Sequence, residues 1–279
     1  MKLTSLILIL ALYSTLSASE NAVEIFGTDL LEPWLPEAIA DANASTFTSE
    51  WDPKFKLTGS YSGLIALQNG YTDACFYLQT SSTNPELPED FEQITLFYKV
   101  LYFHAPDSFP QRSISVSSIT NLSRNDDLCA SRSWGNVLTE SSDWSIQKPR
   151  IIVNSGPKNI IESLYRLKFV SDKNTSDVVE FIPESDITIA MAKSPWFLMV
   201  SDSTTPPEVG MKTLSIIAQG DNIGFPPTNE NVRYRDYSIS FPLQLIYRKE
   251  TVWSKELINL LMSPEMNEVF THFHFVTAN

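Results

Sequence analysis

The residues best suited to bind a small ligand form a corner rich in glycine and serine, Gly59-Ser60-Tyr61-Ser62-Gly63. A short strand pattern precedes this corner and an apolar helical pattern follows it, so we expect the corner at a helix N-terminus. The first N–H groups of a helix lack partners within the helix and carry partial positive charge. With the hydroxyls of Ser60 and Ser62, they could hold an anion without any basic side chain. The same residues also suit an ordinary cap and turn, which the residue types alone favour.

Two further corners follow predicted strands. The strand Val23 to Phe26 leads into Gly27-Thr28-Asp29 and a helix. The strand Arg150 to Val153 leads into Asn154-Ser155-Gly156-Pro157, where Gly156 suits the N-cap and Pro157 the first helical position. The candidate ligand-binding residues are therefore Thr28, Ser60, Ser62, Gly63, Ser155 and Gly156.

Catalytic and metal-binding patterns are weak in this sequence. Only three histidines occur, and none lies in a motif that would pair a base with a nucleophile. His272 and His274 are two residues apart near a predicted helix end, without a cysteine or a pair of acids to complete a metal site. His104 suits a buried structural role better than a role in a cleft. We expect no enzyme activity, no metal and no cofactor.

The cysteines and tryptophans leave alternatives open. Cys75 and Cys129 could form a disulfide in an oxidising compartment, but a buried strand and a polar helical segment favour two free thiols. Trp134 and Trp144 could stack on a ligand, although packing in a core is the more common role for such residues.

The N-terminus and the charge indicate an exported protein. Lys2, an apolar run from Leu6 to Leu12 and small residues up to Ser19 have the layout of a signal peptide over residues 1–19. No later run is apolar enough to span a membrane, so we expect a periplasmic or extracellular protein that does not insert into the membrane. The formal net charge of −13 argues against nucleic acid as a partner.

Strand and helix patterns alternate along the chain, which predicts an α/β fold with a largely parallel sheet. Ile94 to His104 is predicted as one long strand, and Ile187 to Met191 as another. Ser263-Pro264-Glu265 combines an N-cap, a proline at the first position and an acidic first turn, so it predicts the start of a closing helix.

In their order, these motifs resemble the phosphate-binding-protein-like branch of the type II periplasmic solute-binding proteins. The similar segments are Gly27-Thr28-Asp29-Leu30, the corner Gly59 to Gly63, the strand within NGYTDACFY, the corner at Ser155, the stretch Ile187 to Met191, YSISFPL from Tyr237, and the closing LINLLMSPEMNEVF.

The resemblance implies a two-lobed α/β fold with a mixed sheet and flanking helices in each lobe. It places lobe 1 at residues 20–104 and 210–279 and lobe 2 at residues 105–209, with a small ligand in the cleft between them. That ligand would be an oxyanion such as phosphate, and the implied partner is an ABC transporter permease. The alternative is a degenerate member of the class that acts as a secreted sensor or interaction module without transport.

The chain departs from the resembled pattern at four positions. The arginine before the second corner is absent, and Pro157 replaces the threonine that would supply an N–H and a hydroxyl. Gln79 follows the strand at which the resembled proteins carry a proton-accepting aspartate. Phe241 stands where their central arginine would be. An arginine fork would have supplied a bidentate, charge-assisted partner for phosphate.

Overall fold

The computed structural model describes residues 22–46, 52–81, 83–124, 133–139, 141–155, 160–170, 174–249 and 251–278. The predicted signal peptide, Cys129, Gly156 and Pro157 lie outside the described residues. Within the described ranges, no helix is long and apolar enough to cross a membrane.

Short strands make up much of the described chain. They are β1 Ala22–Gly27, β2 Asp52–Lys56, β3 Ala74–Leu78, β4 Phe91–Val100, β5 Tyr102–Pro106, β6 Ser113–Ser115, β7 Ile151–Asn154, β8 Val179–Ile182, β9 Leu198–Ser201, β10 Met211–Thr213, β11 Ser215–Ile217, β12 Gly224–Phe225, β13 Ser240–Arg248 and β14 Phe275–Thr277.

Helices alternate with these strands. They are α1 Leu35–Thr46, α2 Ser60–Gln68, α3 Val116–Ser123, α4 Ile160–Tyr165, α5 Ile187–Ala192, α6 Asn229–Arg233, α7 Val252–Leu261 and α8 Pro264–His272. Single 3₁₀ turns lie at Asp29–Leu31, Trp134–Asn136 and Glu184–Asp186, and α4 continues into a π-helical turn, Arg166–Val170. The predicted cap of the closing helix is present, since the Ser263 hydroxyl accepts the Met266 N–H at 3.2 Å.

The chain divides into two compact units. Unit 1 comprises Met1–Leu78, Pro85–Ile94 and Gln244–Met266, and unit 2 comprises Gln79–Asn84, Thr95–Leu243 and Asn267–Asn279. The lobe boundaries predicted from the sequence, 20–104 with 210–279 and 105–209, stay a prediction.

Unit 1 is built on a sheet in which β1 lies between β2 and β3, with both pairings parallel. Ile25 of β1 is opposite Phe55 of β2 and Ala74 of β3. Parallel strands need crossover connections, which α1 and α2 supply. The core beneath α2 is formed by Leu64, Leu67, Cys75, Phe91 and Ile246. Cys75 is a buried free thiol, and burial raises its pKa to about 12, so it is poorly suited to act as a nucleophile.

Unit 2 contains a five-stranded sheet of order β10-β5-β9-β7-β8 and a three-stranded sheet of order β12-β11-β6. The central strand β9 pairs antiparallel with β5 and parallel with β7, so the larger sheet is mixed. Trp134, Trp144 and Trp196 form an edge-to-face aromatic cluster with Phe109. Trp134 and Trp144 are buried there, which is the packing role that the sequence favours for them.

Two predicted strands differ in the structure. The prediction of a strand at Ile187 to Met191 is wrong, because these residues lie in α5. Ile187, Ala190 and Met191 are buried on one face of this helix. The predicted strand Ile94 to His104 is also wrong as a single element. It breaks at Leu101, whose N–H donates to the Ile239 carbonyl at 3.2 Å, and β4 and β5 on either side belong to different sheets.

Candidate functional site

The glycine and serine corner in unit 1 is confirmed at the N-terminus of α2, with Gly59 as its N-cap. Gly59 has φ 127°, a left-handed conformation that glycine adopts readily, and its N–H donates to the Gly27 carbonyl at 2.8 Å. Ser60 accepts the Leu78 N–H at 3.0 Å through its hydroxyl oxygen. The hydroxyl of Ser60 thus joins the start of α2 to the end of β3.

The other predicted residues of this corner differ in their exposure. Thr28 is buried, and its hydroxyl caps the following 3₁₀ turn by accepting the Leu30 N–H at 3.4 Å. Ser62 is exposed. Gly63 is buried against backbone, since a Cβ at this position would lie 3.0 Å from Gly27 Cα. In unit 1 the structure therefore places Thr28, Ser60 and Gly63 within one turn-rich corner, where each has a structural contact.

The second predicted corner lies in unit 2. Ser155 follows β7, and its hydroxyl donates to the Glu162 carboxylate at 2.7 Å. Its N–H donates to the Ile182 carbonyl at 2.8 Å. A carboxylate bound to this hydroxyl makes the immediate surroundings less favourable for an anion. Gly156 lies outside the described residues.

A cavity of about 220 Å³ in unit 2 brings together Gln79 and Phe241, two departures from the resembled pattern, with charged and polar groups that the sequence did not single out. Its wall includes Gln79, Lys168, Arg235, Ser238, Ser240 and Phe241. We call it the lysine–arginine cavity. Among the described residues that line it, two carry positive charge and none carries a carboxylate. Such a wall attracts an anion even though the whole chain is acidic, because the nearest charges dominate at short range.

Arg235 reaches this cavity from the C-terminal end of α6. Its backbone has φ 64°, and its N–H donates to the Val232 carbonyl at 3.1 Å. A residue in this left-handed conformation ends the helix, and glycine is the usual residue at such a position. The Arg235 guanidinium donates to the side-chain oxygen of Gln79 at 3.0 Å. The strained backbone and the amide contact together fix the direction of the guanidinium.

Gln79 is the buried residue that follows β3. Its N–H donates to the Pro242 carbonyl at 2.8 Å, and its side-chain amide donates to Asn84 at 3.0 Å. Gln79 therefore presents its side-chain oxygen to Arg235 in a fixed orientation. A neutral amide does not neutralise the positive charge of Arg235, whereas an aspartate or glutamate at this position would.

Lys168 lies on the π-helical turn, a rare backbone form that is frequent at functional sites. Its neighbours Phe169 and Val170 are buried, and Phe169 packs edge-to-face on Phe103 with ring centroids 5.7 Å apart. Burial lowers the pKa of the Lys168 ammonium below its usual value. An anion beside the ammonium would stabilise its charged form, so the site gains from binding one.

Ser238 supplies a hydroxyl whose oxygen is buried and has no hydrogen-bond partner among the described residues. The segment around it is fixed by Tyr237, whose hydroxyl donates to the Leu101 carbonyl at 2.9 Å, and by Ser240, whose hydroxyl donates to the Tyr237 carbonyl at 3.1 Å. Leaving a buried polar group unpaired costs about 1–3 kcal/mol. A bound oxyanion would give the Ser238 hydroxyl an acceptor.

Sequence reasoning missed Lys168, Arg235 and Ser238. Phe241, where the resembled pattern has an arginine, is buried on the cavity wall, and Arg235 provides a guanidinium from six residues earlier. Lys168 lies in a helical pattern and Arg235 follows the segment that forms α6. No motif around either residue marked it as a ligand-binding residue.

The histidines lie at structural or surface positions. His104 is fully buried and has contacts of 3.0 Å with Thr213 through Nδ1 and with Ser201 and the Ser203 carbonyl through Nε2. Burial lowers its pKa to about 4, so its ring is neutral at physiological pH. His272 ends α8, and His274 follows with φ 59°.

Solved structures similar to this chain include phosphate-binding proteins. An ABC-type phosphate transport receptor from Vibrio cholerae is 13% identical, with 91% of this chain and 99% of that chain covered and a TM-score of 0.62. PstS from Borrelia burgdorferi is 15% identical, with 92% and 99% covered and a TM-score of 0.68. A protein described as a possible phosphate binding protein from Planctomyces limnophilus is 12% identical, with 92% and 93% covered and a TM-score of 0.70.

These similarities extend over nearly the whole of each chain and establish the fold. The chain has the α/β, type II periplasmic-binding-protein-like fold with mixed sheets that the resemblance implies, whereas the alternating pattern alone predicted a largely parallel sheet. No family model matches the sequence, and no curated protein matches it.

Proposed function

We propose that this protein is an exported solute-binding protein that holds a small oxyanion, such as phosphate, without catalysis. The observation that supports this proposal is the lysine–arginine cavity, which is lined by Lys168, Arg235 and Ser238 with its unpaired hydroxyl, and in which no described lining residue is acidic. Hydrogen bonds from charged donors are the strongest that a phosphate oxygen can receive. The fold shared with phosphate-binding proteins supports the same class of ligand.

The candidate residues predicted from the sequence enter the proposal as additional donors. The resemblance predicts Thr28, Ser60, Ser62, Gly63, Ser155 and Gly156 as donors of backbone N–H groups and hydroxyls, and this stays a prediction, because Ser155 already donates its hydroxyl to Glu162 and Ser60 accepts the Leu78 N–H. Delivery to an ABC transporter, a place in the periplasm or outside the cell, and a ligand cleft between two lobes belong to the same proposal. Cell fractionation, with and without residues 1–19, tests the export of the protein.

Calorimetric titration of residues 20–279 with phosphate and with sulfate tests the proposed ligand class. We expect a dissociation constant of millimolar or lower for at least one of them. Lys168→Met removes one charge, and Arg235→Asn removes the other while keeping a residue that tolerates a left-handed backbone. Each should weaken binding tenfold or more, because a hydrogen bond to a charged group contributes about 1.5–3 kcal/mol.

The matched controls are Lys255→Met and Arg112→Asn, which change the same charges at exposed positions outside the cavity. They should leave the dissociation constant within a factor of about two, since the effect of exposed charges is screened by salt. If neither anion binds at millimolar concentration, or if the controls weaken binding as much as the cavity variants do, the proposed ligand site is wrong.

The second candidate function is a secreted sensor or interaction module that binds the anion but does not transport it. It is favoured by the departures Pro157, Gln79 and Phe241 from the resembled phosphate pattern. Growth on limiting phosphate distinguishes the two. Deletion of the gene should slow growth if the protein delivers its ligand to a transporter, and should leave growth unchanged if it acts only as a sensor.

A further inference from the structure

A second cavity of about 370 Å³ in unit 2 shares a wall with the lysine–arginine cavity, because Lys168 lines both. The other polar residues that line it are Ser117, Thr120, Asn121, Arg124 and Gln219. We call it the polar cavity. A group bound at Lys168 in the first cavity therefore contacts a residue that also lines the second.

Like its neighbour, the polar cavity has two positively charged residues and no carboxylate among the described residues that line it. Apart from Lys168 and Arg124, its polar lining groups are the hydroxyls of Ser117 and Thr120 and the amides of Asn121 and Gln219. Hydroxyls and amides both donate and accept hydrogen bonds, which suits a ligand part that also does both. The hydroxyl groups of a polyol have this property, whereas a second anion could only accept.

Arg124 is held in the wall of the polar cavity by the same turn that carries Lys168. Its Nε donates to the Phe169 carbonyl at 3.2 Å, and its backbone N–H donates to the Thr120 carbonyl at 3.2 Å. The π-helical turn thus presents the Lys168 ammonium on one residue and fixes the Arg124 guanidinium through the next.

The volumes fit a ligand with two parts. Small organic molecules usually occupy pockets of about 300–1,000 Å³. The lysine–arginine cavity, at about 220 Å³, falls below that range and suits an inorganic anion alone. The polar cavity, at about 370 Å³, falls within the range and exceeds what a phosphate ion needs.

We propose that the preferred ligand is a phosphate monoester of a small polyol. Its phosphoryl group would bind Lys168, Arg235 and Ser238, and its hydroxyls would bind Thr120, Asn121 and Gln219. This inference rests on the proposed oxyanion site and assigns the substrate class of that site.

Calorimetric titration of residues 20–279 with inorganic phosphate, glycerol 3-phosphate, ribose 5-phosphate, glucose 6-phosphate and pyrophosphate tests the inference. At least one of the three monoesters should bind tenfold or more tightly than inorganic phosphate. The double variant Thr120→Val and Asn121→Leu keeps the side-chain size and removes the hydrogen-bonding groups. It should cancel that preference and leave the affinity for inorganic phosphate unchanged.

The control is the double variant Thr205→Val and Asn222→Leu, which makes the same chemical changes at exposed positions outside both cavities. It should keep the preference for the monoester. The inference is overturned if inorganic phosphate or pyrophosphate binds more tightly than every monoester, or if the preference survives in the Thr120→Val and Asn121→Leu variant. Loss of inorganic phosphate binding in Lys168→Met with no preference for monoesters would support the proposed function and refute this inference alone.

Discussion

The guanidinium of Arg235 donates to the side-chain oxygen of Gln79 across 3.0 Å, and this contact joins two residues that are 156 positions apart in the chain. Gln79 is itself held by Pro242 and Asn84, so it acts as a fixed acceptor for Arg235. Because the acceptor is a neutral amide, the arginine keeps its net charge for a ligand. The choice of glutamine at this position is therefore an electrostatic property of the proposed site.

Replacement of Gln79 by glutamate tests that property. Gln79→Glu keeps the shape of the side chain but converts the contact into an ion pair with Arg235, which cancels much of the positive charge at the cavity. We expect the affinity for inorganic phosphate to fall tenfold or more, since a charge-assisted bond of about 1.5–3 kcal/mol is weakened. Calorimetry measures the change, and circular dichroism checks that the fold is kept. Gln111→Glu, at a position whose amide bonds Thr139, is the control and should not alter binding.

The stability of the protein should rise when Lys168 is removed. Burial lowers the pKa of Lys168 in the folded state, so between that pKa and the ordinary value the unfolded state binds more protons than the folded state. The free energy of unfolding therefore rises with pH across this window, and at neutral pH the half-buried charge lowers the stability. Lys168→Met should raise the free energy of unfolding by about 0.5–2 kcal/mol, a usual gain for a stabilising substitution. Thermal unfolding without added anion measures it, and a lower stability of the variant would contradict the argument.

The same lysine should make anion binding depend on pH. Sulfate keeps its charge throughout the neutral and alkaline range, so any change in its affinity reports on the protein. As the pH rises through the lowered pKa of Lys168, the ammonium loses its proton and the affinity for sulfate should fall. Titrations between pH 7 and about 10 measure the slope. The Lys168→Met variant should bind sulfate weakly with a flatter pH profile, and an equally steep profile in the variant would assign the effect to another group.

Much of the fold could be predicted from local patterns in the sequence. The corner before α2 was visible because Gly59 and Ser60 lie between a strand pattern and a helical pattern, and the structure confirms that arrangement. Helix α5 was missed because Ile187, Thr188 and Ile189 are β-branched residues in a short apolar run, for which strand and helix are hard to distinguish. Its helical spacing was nevertheless present, since Ile187, Ala190 and Met191 are buried whereas Ile189 is 65% exposed.

The candidate site could be predicted only in part, for a physical reason. Corners at helix starts are local, so Thr28, Ser60 and Ser155 could be named from neighbouring residues. The lysine–arginine cavity is assembled from three distant segments of the chain, which carry Gln79, Lys168, and Arg235 with Ser238, and these come together only through strand pairing and packing. No local pattern marks such a set. The motif also misled about the arginine: Phe241 occupies its place and is buried, and the guanidinium on the cavity wall belongs to Arg235.

The buried histidine should make the stability of the protein sensitive to acid. The pKa of His104 is lowered to about 4 from an ordinary 6.5, so between these values the unfolded state binds more protons. The stability is fully present above pH 6.5 and is lost as the pH falls towards 4. Between pH 7.5 and 5 the free energy of unfolding should drop by about 2 kcal/mol from this group. Urea unfolding at the two pH values measures the drop, which should be absent in His104→Gln and kept in the surface control His272→Gln.

Substitutions in the corner of unit 1 separate packing from ligand binding. Gly63→Ala would place a Cβ 3.0 Å from the Gly27 backbone, so it should cost about 1–3 kcal/mol of stability through overpacking. Ser60→Ala would remove the acceptor of the Leu78 N–H and should cost a similar amount. Ser62→Ala, at an exposed position, should change the stability by less than about 0.5 kcal/mol.

Urea unfolding and phosphate titration of these three variants distinguish the two roles. If the corner is structural, Gly63→Ala and Ser60→Ala lose stability, while the phosphate affinity of the folded fraction stays within a factor of about two of the original protein. If the exposed Ser62 hydroxyl is a ligand donor, Ser62→Ala keeps its stability and loses roughly tenfold in affinity, the value of one hydrogen bond to a charged group. Because Ser62 is exposed, a change in binding without a change in unfolding assigns that hydroxyl to the ligand site.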